Sequence, residues 1–203
     1  MDSYADSQRE SKLLAPRPSG SHPDPEGRSG LEMSSPSLSD PNTQWSQPAP
    51  SPRFYADNNV HRLGRGLRTL GYDTKLYGEG TDDVLRELCR EEGRWLLSCD
   101  SDFLGEANAL VLESVDWQEQ LQTVVRHFNL DPHGYRYSLC LNCNCAVHVV
   151  APADHVGQVP DWVVETDDPL WRCPECERLF WAGGHLERMN ARYDALFPER
   201  PRD

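Results

Sequence analysis

Between residues 53 and 130 the apolar positions switch repeatedly between two spacings. Arg53-Phe-Tyr-Ala-Asp57 reads as a short strand. Val60, Leu63, Leu67 and Leu70 then recur at helical intervals and predict a helix over 58–70 with one buried stripe. Arg62, Arg65 and Arg68 fall off that stripe, on the expected wet face, and Gly71 stops the helix. Gly64 and Gly66 lie inside it, each costing about 1 kcal/mol against alanine. A second strand is predicted at 73–77. Thr81-Asp82-Asp83 opens a helix to 92 that turns Val84, Leu85, Leu88 and Cys89 inward and ends at Gly93. A third strand over 94–99 runs straight into Asp100-Ser101-Asp102 and a short helical turn. A fourth strand follows at 109–113, then a helix over 117–129 that buries Leu121, Val124, Val125 and Phe128. This alternation predicts an α/β domain, a central parallel sheet with helices on both faces.

After residue 136 the pattern changes to short strands around two cysteine pairs. Cys140 with Cys143, and Cys173 with Cys176, have C-x-x-C spacing, and 29 residues lie between the pairs. Each spacing lets two thiolates point at one ion from a tight turn, and two such turns close a tetrahedron. The four cysteines predict a structural zinc ribbon. Rubredoxin-like iron fits the same ligands, but zinc is the commoner occupant. Cys145 reads as a spare apolar thiol, and Cys89 and Cys99 as core. Phe180 and Trp181 are expected to pack the ribbon, with base stacking as their alternative, and His185 to lie outside the ligand set. A last helix is predicted over 184–196.

Composition sets the domain limits. Residues 1–52 hold 12 Ser and 9 Pro and cannot bury enough apolar surface to offset chain entropy, so a disordered tail is expected there. The folded part divides into 53–134, the α/β domain, and 135–197, the ribbon with its helix. The start lacks a basic region followed by an apolar one, and no apolar run approaches the roughly 18 residues of a membrane helix. Seven cysteines, four of them in knuckles, suit a reducing compartment. A cytoplasmic protein without membrane contact is expected. The formal charge of −13 opposes long-range attraction of polyanions.

Ligands of an open parallel sheet bind at the carboxyl ends of its strands. Asp57 closes the first strand, Asp100 and Asp102 follow the third, and Asp83 starts the helix after the second. Carboxylates gathered at one edge repel unless a cation neutralises them, and Mg²⁺ or Mn²⁺ suits such oxygen ligands. Each of these aspartates also stands where a helix cap is favoured, so capping is the competing reading.

The stretches FYADNNVHRLGRGLRTLGYDT (54–74), DDVLRELCREEGRWLLSCDSDF (82–103), QL (120–121), CLNC (140–143) and CPECERLFWAGGH (173–185) together resemble the Mut-seven C-terminal RNase domain family, PIN-like nucleases with a C-terminal zinc ribbon. The resemblance implies a three-layer PIN-like fold and metal-dependent cleavage of RNA. It implies an acidic site of Asp57, Asp83, Asp100 and Asp102, with Asp57 and Asp100 as core ligands of Mg²⁺ or Mn²⁺ and zinc as a structural cofactor. Arg62, Arg65 and Arg68 are candidate contacts for RNA phosphates, with an ordinary solvated helix face as the alternative. Relatives commonly read like Leu-Thr-Arg-Asp where this chain has Leu97-Ser98-Cys99-Asp100, and carry alanine and a bulky residue in place of Gly64 and Gly66. The missing base beside Asp100, with the acidic charge, supports an alternative function: a non-catalytic module that binds RNA or protein. A toxin of a toxin–antitoxin pair shares the nuclease fold but fits the ribbon less well.

Overall fold

A computed structural model describes residues 48–166 and 168–198. The tail expected at 1–52 lies almost wholly outside these residues. Its last few are structured: the first strand, β1, spans Ala49–Ala56 and so begins ahead of Arg53. A 3-10 turn, Asn58–Val60, leads into helix α1, His61–Thr69. Strand β2 is Tyr72–Leu76, helix α2 Asp82–Glu92, strand β3 Trp95–Ser98, strand β4 Ala109–Val111 and helix α3 Trp117–His127. Every element read from the apolar spacing is present, within a few residues of its expected ends.

The four strands form one parallel sheet in the order β2-β1-β3-β4. Side chains alternate across it, as a pleat of period two demands. Phe54, Ala56 and Leu97 join Leu63, Leu67, Leu121 and Val124 on the face covered by α1 and α3. Tyr55 and Leu96 join Leu85, Cys89 and Phe103 on the face covered by α2. Helices therefore sandwich the sheet in three layers. The leucines and Phe54 are fully buried, and each contributes roughly 1.5–3 kcal/mol against exposure. Val84 departs from expectation: it is 49% exposed, because only Leu85 and Cys89 of α2 point fully at the sheet.

Two glycines are required by the packing. A Cβ on Gly64 would stand 2.4 Å from Leu76 Cδ2 and 2.8 Å from Ala56 Cβ, so α1 lies closer to the sheet than an alanine permits. Gly71 has φ +88°, and a Cβ there would meet the Tyr135 carbonyl oxygen at 2.1 Å.

Beyond α3 the chain builds a second, antiparallel sheet of strands β5, His148–Val150, β6, Leu170–Arg172, and β7, Leu179–Trp181, in that spatial order. Residues between the cysteine pairs add helix α4, Asp161–Glu165, whose Val163 packs with Val159 and Leu170 in a small core of its own. Helix α5, Gly184–Leu196, returns to the larger core: Tyr193 is buried there, and Arg136 pairs with Asp194 at 2.6 Å. The helix counted with the ribbon on sequence thus packs on the parallel-sheet layer. Among the described residues no helix is long and apolar enough to cross a membrane.

Candidate active site and metal centre

The carboxyl ends of β1 and β3 carry an interlocked polar cluster. Asp57 is only 7% exposed, and its carboxylate is surrounded by donors. Oδ1 accepts from the Asn58 backbone N–H at 2.6 Å, and Oδ2 from the Asn59 amide at 2.9 Å and the Ser98 hydroxyl at 2.7 Å. Ser98 Oγ, fully buried, in turn accepts from the Asp100 backbone N–H at 2.9 Å. Asn59 Oδ1 accepts from the Cys99 N–H at 3.1 Å. Asp57 and Asp100 are thereby held in fixed relation through one hydroxyl and one amide.

Both aspartates also act as caps. Asp57 caps the Asn58–Val60 turn, and Asp100 caps the Ser101–Phe103 turn by accepting from the Asp102 N–H. The capping reading is therefore correct for these two. It leaves lone pairs of each carboxylate for another partner, since a carboxylate has about four acceptor positions.

Among the described residues, carboxylate oxygens of Asp82, Asp100 and Asp102 gather within 4.8 Å of one another. Asp100 and Asp102 were expected together. Asp57 is not one of the three and is tied to the Asp100 segment through Ser98 and Asn59, and Asp83 is not one of them either. The Asp83 side chain is 92% exposed and pairs with Arg86 at 2.9 Å. Its neighbour Asp82 takes the inward place because successive residues of a helix point about 100° apart, so only one of the pair can face the end of β3. Arg86 binds three segments at this edge: Asp83, Glu106 at 2.6 Å and the Asp102 carbonyl at 3.2 Å.

The three arginines of α1 separate. Arg62 and Arg65 are exposed, and Arg62 lies over the Trp117 ring at 5.9 Å. Arg68 is not on a wet face. It is 5% exposed and donates to the backbone carbonyls of Thr74 at 2.7 Å, Leu141 at 2.7 Å and Asn142 at 2.9 Å. The apolar spacing misplaced it because it ignored the second domain, which packs on this end of the helix. Burial, and then the nearby Arg65 charge, lower its pKa to about 10, against the pull of Cys140 and Asp73.

The thiols of Cys140, Cys143, Cys173 and Cys176 all lie within 4.8 Å of one another. Two knuckles with the same backbone bonding bring them there. The Cys140 N–H donates to the Cys145 carbonyl and the Cys173 N–H to the Arg178 carbonyl. The Asn144 N–H donates to Cys140 and the Glu177 N–H to Cys173. Asn144 and Glu177, each following its second cysteine, adopt φ of 61° and 58°. Zinc with Zn–S bonds of about 2.3 Å requires tetrahedral S···S edges of about 3.8 Å. Cys140 Sγ and Cys176 Sγ are 3.8 Å apart, so the set fits the ion. Cys145 is closer than a spare thiol need be, 3.4 Å from Cys173, but it is not one of the four clustered ligands. Burial opposes ionisation of Cys173, yet the backbone N–H groups of Cys176 and Glu175 and the Cys145 thiol outweigh it and lower the pKa to about 6.

Cys89 is core, and Cys99 is half-buried against Gln120, its thiol pushed up by burial. Phe180 packs on the cysteine cluster and Trp181 on the small core beside it, and His185 is exposed, outside the cysteine group. Sequence reasoning missed Asn59, Ser98 and Asn144. The signals were present: a second asparagine just past a strand-closing aspartate, and an asparagine at the position after a knuckle, where φ is positive.

A family model described as the Mut7-C RNAse domain matches residues 52–193. A curated relative, "Exonuclease mut-7 homolog" of Homo sapiens, is 32% identical over 121 residues, which cover 55% of this chain and 14% of that protein. The chain thus spans a small part of that relative's length. No solved structure matches the chain.

Proposed function

Because the chain belongs to the Mut7-C RNAse domain family, we propose that it is a ribonuclease that hydrolyses RNA phosphodiester bonds with Mg²⁺ or Mn²⁺ at the carboxyl edge of its parallel sheet. The observation that carries this reading is the convergence of Asp82, Asp100 and Asp102, with Asp57 locked behind them through Ser98. Three carboxylates that gather within 4.8 Å offer the hard oxygen ligands that Mg²⁺ takes. When bound, the ion would supply an acidified water and charge stabilisation at phosphate oxygens. Asp82, Asp100 and Asp102 would hold it, Ser98 and Asn59 orient Asp57 and Asp100, and Asp83 stays at the rim with Arg86. Exposed Arg62 and Arg65 remain the candidate RNA contacts. Zinc on the four cysteines is structural in this reading, and the α/β layer, begun by β1 and joined by α5, is PIN-like. The human relative's name adds exonucleolytic action as a further expectation for this chain.

The test is cleavage of labelled single-stranded and hairpin RNA by metal-stripped protein, with Mn²⁺ or Mg²⁺ added back. Cleavage that requires the ion and is lost in Asp100→Asn supports the nuclease. Uncharged Cys99 beside Asp100 favours the second reading, a binding module. Folded, zinc-loaded protein that binds RNA and cuts none at any salt would establish it. A circular RNA substrate separates the modes, since only an endonuclease opens it.

A further inference from the structure

Strand β2 is an edge of the parallel sheet, so the outward backbone groups of Thr74 have no strand to pair with. Both are nevertheless satisfied, and both by side chains tied to the first knuckle. The Thr74 N–H donates to Asn144 Oδ1 at 2.9 Å, and the Thr74 carbonyl accepts from Arg68 Nε at 2.7 Å. Asn144 is the positive-φ residue that closes the knuckle, and its amide also donates to Asp73 Oδ1. Arg68 Nη1 spans to the carbonyls of Leu141 and Asn142, the two residues between the knuckle's cysteines. The pair imitates an added strand at one residue of the edge. Its anchor is a loop whose shape depends on its two thiols meeting the other two.

The charge agrees with the geometry. Four thiolates around a divalent ion leave a net charge of about −2, and Arg68 brings a buried cation to the carbonyls that separate two of them. Asp73, held by Asn144, is gripped from the other side by Arg94 through two bonds of 2.8 Å each. The connection therefore continues into β2 and the start of β3.

We propose that Arg68 and Asn144 are positioning residues of the metal centre, latching the first knuckle to β2 so that zinc occupancy of the four cysteines orders the free edge of the parallel sheet. The inference rests on the zinc reading above. Outer partners of metal ligands typically change affinity about 10- to 100-fold when removed. Two variants keep the fold while cutting the latch. Asn144→Gly preserves the positive φ and deletes the side chain; Arg68→Lys keeps the charge and loses the fork.

Amide hydrogen exchange at Thr74 is the readout, with zinc affinity from chelator competition beside it. In the full chain, zinc removal should speed Thr74 exchange at least tenfold. Asn144→Gly should exchange fast with or without zinc and bind zinc at least tenfold more weakly, and Arg68→Lys should fall between. A wild-type chain that takes up no zinc overturns both the zinc reading and the latch. Zinc uptake with Thr74 protection unchanged, or Asn144→Gly that binds zinc as tightly as wild type, overturns the latch alone.

Discussion

The four cysteines reach one another from two short turns whose backbones close on themselves, whereas Asp82, Asp100 and Asp102 come from a helix start and a 3-10 turn that meet only in the folded sheet. Cys140 and Cys173 are buried; Asp82 and Asp100 are half-exposed and Asp102 is exposed. Four ligands close a tetrahedron and leave no place for a substrate, while three carboxylates leave most of an octahedron to water and phosphate. On the proposed function, the contrast is that between a metal site that holds a fold and one that is open to chemistry. Cysteine loss should be read in structure, and carboxylate loss in turnover.

The largest expected effect that would break this contrast is Cys173→Ser. Zinc affinity should fall about a hundredfold or more, with loss of fixed near-ultraviolet dichroism from Trp171 and Trp181. Cys145→Ser should stay within about threefold, measured by the same chelator titration, although Cys145 touches Cys173. Next, Asp100→Asn should lower ion-dependent RNA cleavage about a hundredfold. Melting should barely move, since asparagine also caps. Equal loss of stability and activity would contradict an open site.

A finer comparison lies within one helix turn. Asp82→Asn should cost about tenfold in cleavage and Asp83→Asn no more than about twofold, because only the first faces Asp100. Reversed values would restore Asp83 to the site. The smallest effect is on acid stability. Burial alone would raise the Asp73 pKa, but Arg94 and Asn144 outweigh it and hold the carboxyl below its ordinary 3.8. Its stabilisation is complete above that value and is lost as pH falls through the lowered one. Melting temperature in the wild type should therefore drop below about pH 4, and Asp73→Asn, weaker at neutral pH, should show a shallower acid decline.

Local rules carried the fold. The stripe Val60, Leu63, Leu67, Leu70 and the strand-helix alternation depend on neighbours a few residues apart, and they reappear as elements and as the two buried faces. The knuckles were legible for the same reason, since C-x-x-C spacing specifies its own turn. The acidic cluster was legible only in part. Asp100 and Asp102 follow directly from β3, but the choice between Asp82 and Asp83 is a matter of helix phase against a partner far away in sequence. Arg68 was misread because its partners, Leu141 and Asn142, lie more than seventy residues on. Ser98 was visible as a departure from Leu-Thr-Arg-Asp, yet its hydroxyl still makes the bond between Asp57 and Asp100.

The close approach at Gly64 also constrains how this sequence can drift. Position 64 is locked to position 56, whose Cβ has no rotamer with which to yield, and less tightly to Leu76, whose branch end can turn. Gly64→Ala is thus accessible only after a permissive step such as Ala56→Gly, and the same two changes in reverse order pass through a strained intermediate. A homologue with alanine at this place must have found its space by another residue or a displaced helix. The two positions are epistatic, and a library varied at both should recover Gly64→Ala chiefly together with Ala56→Gly.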